Sequence, residues 1–414
     1  MRVADQSGVS PGLVNFFVII HAMNDSAEGS ATGTDLPADV ATLTRTVARF
    51  APDGPLSEVV PGYRYREVQA QLAAAIASAL EIRRHALLEA GTGTGKTWAY
   101  LLALAEQPGT ALIATGSLTL QDQLWFQDLP RLKKLLPAER RIARLKGRGN
   151  YLCPERLEKS LKVADVQVPA DVTTMLYDVR RWSSATTTGD LGEIEGSFDP
   201  RAAPLITSTR DNCLGGNCPS VERCPLYRAR AAAQDADLVI INHHLLLADL
   251  TLRDESLGRI LPDTDAIVVD EAHQLASVAR QFLGTHVGTG QLLDLCQDVE
   301  RERLAGEWHD EALAEVTSDV SRQVRQLGIA MSRETESIEL PAFVARHGPA
   351  LENLDMAMGD LATALRVTAD RSPAMAHLGA RAERLLDEFV VATEAPQDND
   401  LVGWVQPTTR GCHP

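Results

Sequence analysis

The sequence predicts an α/β fold in which a parallel sheet is covered by helices on both faces. Short apolar runs, typical of buried strands, alternate with longer segments of helical periodicity. A glycine-rich segment follows one of these runs, and two adjacent acids follow another. Because parallel strands present their carboxyl ends at one edge of a sheet, we expect these segments to meet there around a ligand.

Five apolar runs are the candidate strands, and helical segments lie between them. The runs are residues 85–90, 110–114, 142–145, 237–241 and 266–269. Apolar residues recur at helical spacing over residues 67–80, and a second helix over residues 97–105 ends before Pro108. A third helix is predicted over residues 118–136, where Pro130 should kink or split it.

Length and composition indicate a globular protein with more than one domain. The chain has 414 residues, 44% hydrophobic and 23% charged, and a single core rarely extends over so long a chain. Residues 13–20 are apolar but too few to span a membrane, and no convincing cleavage site follows them, so Met23 is an alternative start. A cytoplasmic protein, with reduced cysteines and no membrane partner, is expected.

The charge pattern excludes a surface that binds nucleic acid throughout, because the net charge is −16. One segment, residues 131–148, departs from this average and contains a single acid, Glu139. Its basic residues are Arg131, Lys133, Lys134, Arg140, Arg141, Arg144, Lys146 and Arg148. A solvated helix face and a local nucleic-acid track explain this charge equally well.

The glycine-rich segment has the composition and context of a P-loop. It consists of Gly91, Thr92, Gly93, Thr94, Gly95, Lys96 and Thr97. Glycines let backbone N–H groups surround phosphate oxygens at a helix N-terminus. Lys96 is predicted to reach the β- and γ-phosphates, and the Thr97 hydroxyl to bind Mg²⁺. The alternative is a chance glycine-rich turn, which the strand before it and the helix after it disfavour.

The two adjacent acids are Asp270 and Glu271, which come directly after a predicted strand and before Ala272 and His273. Asp270 is predicted to hold the Mg²⁺ shell, and Glu271 to orient and polarise the attacking water. His273 is a candidate for coupling the nucleotide to other parts of the protein. Together with the P-loop, this segment predicts hydrolysis of a nucleoside triphosphate.

Arg66 and Gln69 precede the P-loop by about one helix. A planar guanidinium or amide suits the edge of a base, so either side chain is a candidate for binding adenine. An exposed helix face is the alternative.

Four of the six cysteines fall between residues 150 and 224. They are Cys153, Cys213, Cys218 and Cys224. Four thiolates suit a structural zinc ion or an iron–sulfur cluster, and the spacing does not separate the two. A chance grouping of structural cysteines is the third possibility. Cys296, in a helical stretch, is predicted to be a core residue, and no role is predicted for Cys412.

Several segments together resemble one protein family. They are residues 50–80, 89–97, 115–124, 146–153, 218–225, 242–246 and 270–273. In this order they resemble the DinG/XPD-like iron–sulfur DNA helicases of superfamily two, and within them the YoaA type. The resemblance covers residues 50–275 and extends over 276–410 only in general character.

The resemblance implies an ATP-dependent 5′→3′ DNA helicase in DNA repair or replication, with ATP and Mg²⁺ as cofactors. It also implies a [4Fe–4S] cluster on Cys153, Cys213, Cys218 and Cys224. The implied partner is single-stranded or forked DNA, with replication or repair proteins as further candidates and a monomer as the expected state. Residues 115–123 resemble a segment that touches the DNA backbone, which favours the nucleic-acid track over the solvated face.

The resemblance also divides the chain into domains. Residues 1–50 are predicted to be a flexible lead-in. The first RecA-like helicase domain is predicted over residues 51–149 and 225–275, an iron–sulfur domain over 150–224, an all-helical arch over 276–400, and the start of a second RecA-like domain over 401–414. The sequence stops there, which predicts a truncated protein.

Such a protein is expected to hydrolyse ATP slowly and not to unwind DNA. An arginine finger from a second domain can raise the rate of phosphoryl transfer by about 10³- to 10⁵-fold. Two other functions stay open: a non-cycling nucleic-acid-binding fragment, and a P-loop ATPase with a metal-bound insertion and a protein substrate. DNA-stimulated hydrolysis and metal content distinguish the three.

Overall fold

A computed structural model describes residues 16–22, 40–91, 93–105, 107–194, 198–254, 259–282, 286–331, 337–393 and 403–406. The predicted site residue Thr92, the alternative start Met23 and Cys412 lie outside them. The chain forms two compact units. Unit 1 comprises Met1–Gly147 and Tyr227–Leu283, and unit 2 comprises Arg148–Leu226 and Gly284–Pro414. The segments predicted to be separate iron–sulfur and arch domains therefore share one unit.

The strands of the described residues are short. They are β1 (Phe16–Ala22), β2 (Ala86–Ala90), β3 (Ala111–Thr115), β4 (Ile142–Arg144), β5 (Leu238–Asn242), β6 (Ala266–Val269), β7 (Ile338–Glu339) and β8 (Trp404–Val405).

The α-helices vary more in length. They are α1 (Val40–Ala48), α2 (Pro55–Val59), α3 (Glu67–Glu81), α4 (Lys96–Ala105), α5 (Leu118–Gln123), α6 (Leu129–Leu132), α7 (Pro154–Lys162), α8 (Ala164–Gln167), α9 (Ala170–Ser183), α10 (Ala203–Ile206), α11 (Pro225–Gln234), α12 (His243–Asp254), α13 (Leu275–Phe282), α14 (Thr289–Ala305), α15 (Glu311–Met331), α16 (Leu340–Val367) and α17 (Pro373–Thr393). Of these helices, none is both long and apolar enough to cross a membrane.

Six strands form one sheet in unit 1, in the order β2–β1–β6–β3–β5–β4. Strand β3 is parallel to β5 and β6, and β4 is parallel to β5. The α/β fold with a parallel sheet is thus confirmed, and the five predicted strands lie within about one residue of β2 to β6. Ile76 of α3, Leu101 of α4, Ile113 of β3 and Val268 of β6 are buried together in the core of this unit.

Strand β1 lies in the segment whose sequence predicts a flexible lead-in. It is antiparallel to both neighbours: Phe16 is opposite Ala90 of β2, and Ala22 is opposite Ala266 of β6. The structure therefore differs from the prediction over Phe16–Ala22, and also over α1. Pairing with strands far away in the chain is decided by long-range contacts, which a local pattern does not reveal.

The helix predicted over residues 118–136 is interrupted, as Pro130 suggests, but the interruption begins earlier. After α5, a π-helical turn covers Leu124–Asp128, and Pro130 then occupies the first turn of α6. A 3₁₀ turn over Lys133–Leu135 follows. Proline is well tolerated in a first turn, where its missing N–H has no partner to lose. The change in helix type therefore comes before Pro130 in the chain and places the proline in a first turn, where it is tolerated.

Two hydrophobic clusters lie in the described residues of unit 2. In the cysteine-containing segment, Leu157 of α7, Leu176 and Val179 of α9 and Ile206 of α10 are buried together. The second cluster joins α14 to α17 around residues such as Leu361. The described residues of 276–400 are thus mostly helical, as predicted, except that β7 pairs with β8 in two antiparallel residues. That these helices form an arch stays a prediction.

Candidate nucleotide and cysteine sites

The P-loop lies between β2 and α4, as its sequence predicts. Gly93 and Gly95 have φ angles of 74° and 82°, which glycine adopts at no steric cost. The Thr94 hydroxyl donates a hydrogen bond to the carbonyl oxygen of Gly91 at 2.9 Å. Helix α4 begins at Lys96, so its first N–H groups face the loop. This is the backbone form that can surround a phosphate.

Arg66 and Gln69, the candidate adenine-binding residues, both contact the P-loop backbone. The Gln69 side-chain amide donates to the carbonyl oxygen of Gly95 at 2.9 Å, and Arg66 donates to that of Gly93. A Cβ at position 95 would lie 2.1 Å from Gln69 Nε2, so only glycine fits beside this side chain. The two residues thus support the shape of the loop, and their contact with adenine stays a prediction.

Asp270 lies at the carboxyl end of β6 and is 6% exposed. Its backbone N–H donates to the carbonyl oxygen of Ala114 at 2.8 Å, which extends the pairing between β6 and β3 by one residue. The hydroxyl of Tyr100 donates to Asp270 Oδ2 at 3.2 Å. Burial raises the pKa of Asp270, and the charge of Lys96 opposes that effect. Lys96 and Asp270 are therefore close enough to act on the same ligand.

Glu271 has an unusual backbone and an unusual carboxyl group. Its φ of 57° is left-handed, a conformation that is uncommon outside glycine and often found at functional sites. Burial and the charge of Asp270 raise the pKa of Glu271 to about 7, against the charge of Lys96. Within the described ranges, its buried Oε2 has no hydrogen-bond partner, and His273 Nδ1 lies 3.6 Å from it. Such a group can accept a proton near neutral pH.

His243 supports this site, although its sequence context suggested no role. It is fully buried, and its Nε2 donates to the carbonyl oxygen of Asp270 at 2.8 Å. Burial lowers the pKa of His243, which favours the neutral ring. The imidazole therefore fixes the backbone between the two acids. The sequence feature that could have indicated this role is that His243 directly follows β5, a predicted strand, which lies beside β3 in the sheet.

Residues 115–123 approach the acids but do not all face outward. A Cβ on Gly116 would lie 2.6 Å from Gln274 Oε1 and 3.2 Å from Glu271 Cβ. Gln121 is fully buried and donates to the carbonyl oxygens of Leu145 and Ile240, both at 2.9 Å. Gln121 thus joins strands β4 and β5 to α5. Contact of this segment with DNA stays a prediction.

Three of the eight basic residues of segment 131–148 form ion pairs within unit 1. Arg141 pairs with Asp237 at 3.1 Å, and Arg144 and Lys146 both pair with Asp122. The Arg144 guanidinium also lies 4.8 Å from the centre of the Phe126 ring. Arg140 donates to backbone carbonyl oxygens, including that of Gln107 at 2.6 Å. The residues with high exposure are Arg131, Lys133, Lys134 and Arg141. Some of these residues are therefore held by partners within the fold and others are exposed, so the segment is neither a continuous basic track nor a uniformly solvated face.

The four predicted cluster cysteines all lie in unit 2, where they influence one another's pKa values. Burial raises the pKa of Cys153 to about 11, and the charges of Cys218 and Cys213 add to this effect. Burial likewise raises the pKa of Cys218, as do Cys213 and Cys224. The thiols are half-buried and reduced. The described His, Cys, Asp and Glu residues form no group of three that converges on a single metal ion.

The donor set fits an iron–sulfur cluster in its chemistry. Four thiols that act on one another match the Cys₄ ligand set of such clusters. A tetrahedral zinc site instead requires four sulfur atoms within about 2.3 Å of one ion. Cys296 is buried in the core of α14, as predicted. The four cysteines thus lie within electrostatic range of one another, and both metal binding and the identity of the metal belong to the proposal below.

The fold and the two acids near the P-loop have the arrangement expected of a nucleoside triphosphate site. The family described as DEAD_2 matches residues 213–292. The chain is 44% identical over 251 residues to the ATP-dependent DNA helicase YoaA of Escherichia coli, and the match covers 60% of this chain and 39% of that relative. It is 42% identical to the YoaA of Haemophilus influenzae, with the same coverage.

A second group of relatives is more distant. The chain is 36% identical over 233 residues to the ATP-dependent helicase DinG of Mycobacterium tuberculosis, a match that covers 51% of this chain and 34% of the relative. These matches confirm the resemblance to the DinG/XPD-like helicases and, within them, to the YoaA type. The chain spans about two fifths of the length of the YoaA relatives.

Proposed function

We propose that this chain is part of an ATP-dependent DNA helicase that couples ATP hydrolysis to 5′→3′ movement along single-stranded DNA. The observation that carries the proposal is the convergence of the P-loop with Asp270 and Glu271. The names of the YoaA and DinG relatives support DNA as the partner. The direction of movement and a role in repair or replication follow from the resemblance alone.

The residues of unit 1 account for the steps of hydrolysis. Lys96 and the P-loop N–H groups hold the β- and γ-phosphates, and Thr97 and Asp270 are the residues that would hold Mg²⁺, which neutralises phosphate charge when bound. Glu271 Oε2 takes a proton from the water that attacks the γ-phosphorus. The bond from the γ-phosphorus to the bridging oxygen breaks, and ADP leaves. A pKa of about 7 lets Glu271 accept this proton at neutral pH.

Cys153, Cys213, Cys218 and Cys224 are the proposed ligands of a [4Fe–4S] cluster. Their mutual electrostatic effects support one shared site. Iron analysis of anaerobically purified protein, beside a Cys218→Ser variant, tests this point. Near four iron atoms per chain, with visible absorbance that the variant loses, is expected. Zinc in place of iron would favour a P-loop ATPase with a zinc-bound insertion.

The helicase proposal itself is tested by ATP hydrolysis with and without an oligo(dT) strand. Hydrolysis that the strand stimulates and that a Lys96→Ala variant lacks is the expected result. Strand binding without stimulation would instead indicate a non-cycling nucleic-acid-binding module. ATP hydrolysis that ignores the strand would remove DNA as the partner.

A further inference from the structure

A buried tyrosine contacts Asp270, one of the two residues that would hold Mg²⁺. Tyr100 lies on α4, three residues after Thr97, and is 1% exposed. Its hydroxyl donates to Asp270 Oδ2 at 3.2 Å. We propose that Tyr100 is a positioning residue that orients Asp270 for the Mg²⁺–nucleotide complex. This inference rests on the proposed function, since it needs a nucleotide at the P-loop.

The direction of the hydrogen bond supports this role. Burial raises the pKa of Tyr100 well above its ordinary value, so the phenol keeps its proton. Tyr100 therefore donates this proton in a hydrogen bond that the Asp270 carboxylate accepts.

Each of the two carboxylate oxygens of Asp270 accepts a hydrogen bond from the protein. The backbone N–H of Glu271 donates to Oδ1 at 3.1 Å, while Tyr100 donates to Oδ2. Each carboxylate oxygen accepts up to two hydrogen bonds, so one protein donor on each leaves capacity for the water shell of a cation. A carboxylate with one donor on each oxygen has a defined orientation before the ligand arrives. Partners of this kind typically contribute about 10- to 100-fold to metal affinity.

Tyr100→Phe tests the inference, because it removes one oxygen atom and retains the buried ring. The affinity for a non-hydrolysable ATP analogue is measured by calorimetry in excess Mg²⁺ and again in excess EDTA. The expected result is an affinity in EDTA equal to that of the unmodified chain, and a gain from Mg²⁺ reduced about 10- to 100-fold. A purely structural role for the hydroxyl would weaken both affinities together.

Tyr63→Phe is the matched control within unit 1. The Tyr63 hydroxyl donates to the carbonyl oxygen of Phe50 at 2.8 Å, away from either acid. We expect this variant to retain the full gain from Mg²⁺. A normal gain in Tyr100→Phe would overturn the positioning role. No gain from Mg²⁺ in the unmodified chain would overturn the proposed function and this inference together.

A double variant gives a second test. In an Asp270→Asn background, Tyr100→Phe should lower the gain from Mg²⁺ by less than it does alone, because both residues act on the same ligand and their effects are not additive. Additive losses would show that Tyr100 acts independently of Asp270, against the inference. The comparison uses the same calorimetry and does not depend on turnover.

Discussion

Each unit buries an acidic centre, and the two centres have opposite electrostatics. In unit 1, burial raises the pKa values of Asp270 and Glu271, and Lys96 only partly opposes this. In unit 2, burial also acts to raise the pKa of Asp298, but the charges of Arg156, Arg301 and Arg381 outweigh it and hold the value low. Burial is therefore common to both centres, and the number of cationic partners makes the difference.

Asp298 is surrounded by donors. Arg156 and Arg301 reach Oδ1 at 2.9 Å and 2.6 Å, and Arg381 reaches Oδ2 at 2.9 Å. Arg156 lies on α7, three residues after Cys153, while the other two lie on α14 and α17. The carboxylate thus ties the cysteine-bearing segment to the helical bundle. Its oxygens are occupied, whereas Glu271 Oε2 has no hydrogen-bond partner in the described chain. A buried carboxylate oxygen without a hydrogen-bond partner is available for a reaction, which favours a catalytic role for Glu271. A carboxylate whose oxygens are all paired, such as that of Asp298, favours a structural role.

The largest effect is expected from Glu271→Gln. The amide keeps the size of the side chain but cannot accept the proton, so ATP turnover should fall about 10²- to 10⁴-fold with nucleotide affinity retained. Steady-state hydrolysis with oligo(dT) measures the change. Glu388→Gln is the control, since burial also raises the pKa of Glu388, which lies on α17 of unit 2. Equal losses in the two variants would contradict the assignment of Glu271.

Asp298→Asn should be the most destabilising change in unit 2. It leaves three guanidinium groups at one site, with exposures of 13%, 7% and 1%, without the carboxylate between them. Breaking a buried ion pair on one side costs about 3–5 kcal/mol. Hydrogen exchange of α14 and α17 gives the free energy of opening for this unit alone. A loss below about 1 kcal/mol would show that solvent already screens the cluster.

The pH dependence of stability should differ in sign between the two centres. The pKa of Glu271 is raised from 4.5 to about 7, so its protonated form is favoured by folding, and unit 1 should lose stability as pH rises through that window. The pKa of Asp298 is lowered from 3.8, so its contribution is present above that value and lost as pH falls below it.

Hydrogen exchange at pH 5 and pH 7.5 checks this difference. Glu271→Gln should remove part of the decline of unit 1 between these values, because the amide does not titrate. Asp298 should contribute no such decline in unit 2, since it stays ionised throughout this range. A decline of equal size in the variant and the unmodified chain would mean that Glu271 titrates at its ordinary value.

The nucleotide centre was largely predictable from sequence, whereas the Asp298 centre was not. Lys96 follows a short glycine loop and Asp270 follows an apolar strand, so a local pattern predicts the position and the proposed role of each residue. Asp298 has none. Its partners Arg156 and Arg381 lie 142 and 83 residues away in the chain, and only the packing of helices brings them together.

The same distinction explains the two other differences from the sequence predictions. Phe16–Ala22 pairs with strands far along the chain, and the basic run 131–148 is neutralised partly by Asp237, 96 residues from Arg141. Local composition describes which residues are charged or apolar. It does not say which distant residue pairs with them. Predictions that a terminal segment is flexible, or that a run of charges is free, are therefore the least secure that a single sequence allows.

The smallest loss of stability is expected where a guanidinium–carboxylate pair is exposed to solvent. Arg366 of α16 contacts Glu383 of α17 at 2.7 Å, with side chains 68% and 46% exposed. Water already solvates both ions, so Glu383→Ala should cost only about 0.2–1 kcal/mol, and less at high salt. Urea unfolding at low and high ionic strength measures both quantities. A cost approaching that of Asp298→Asn would mean that burial does not set the strength of ion pairs in this unit, and the contrast between the two acidic centres would then need another cause.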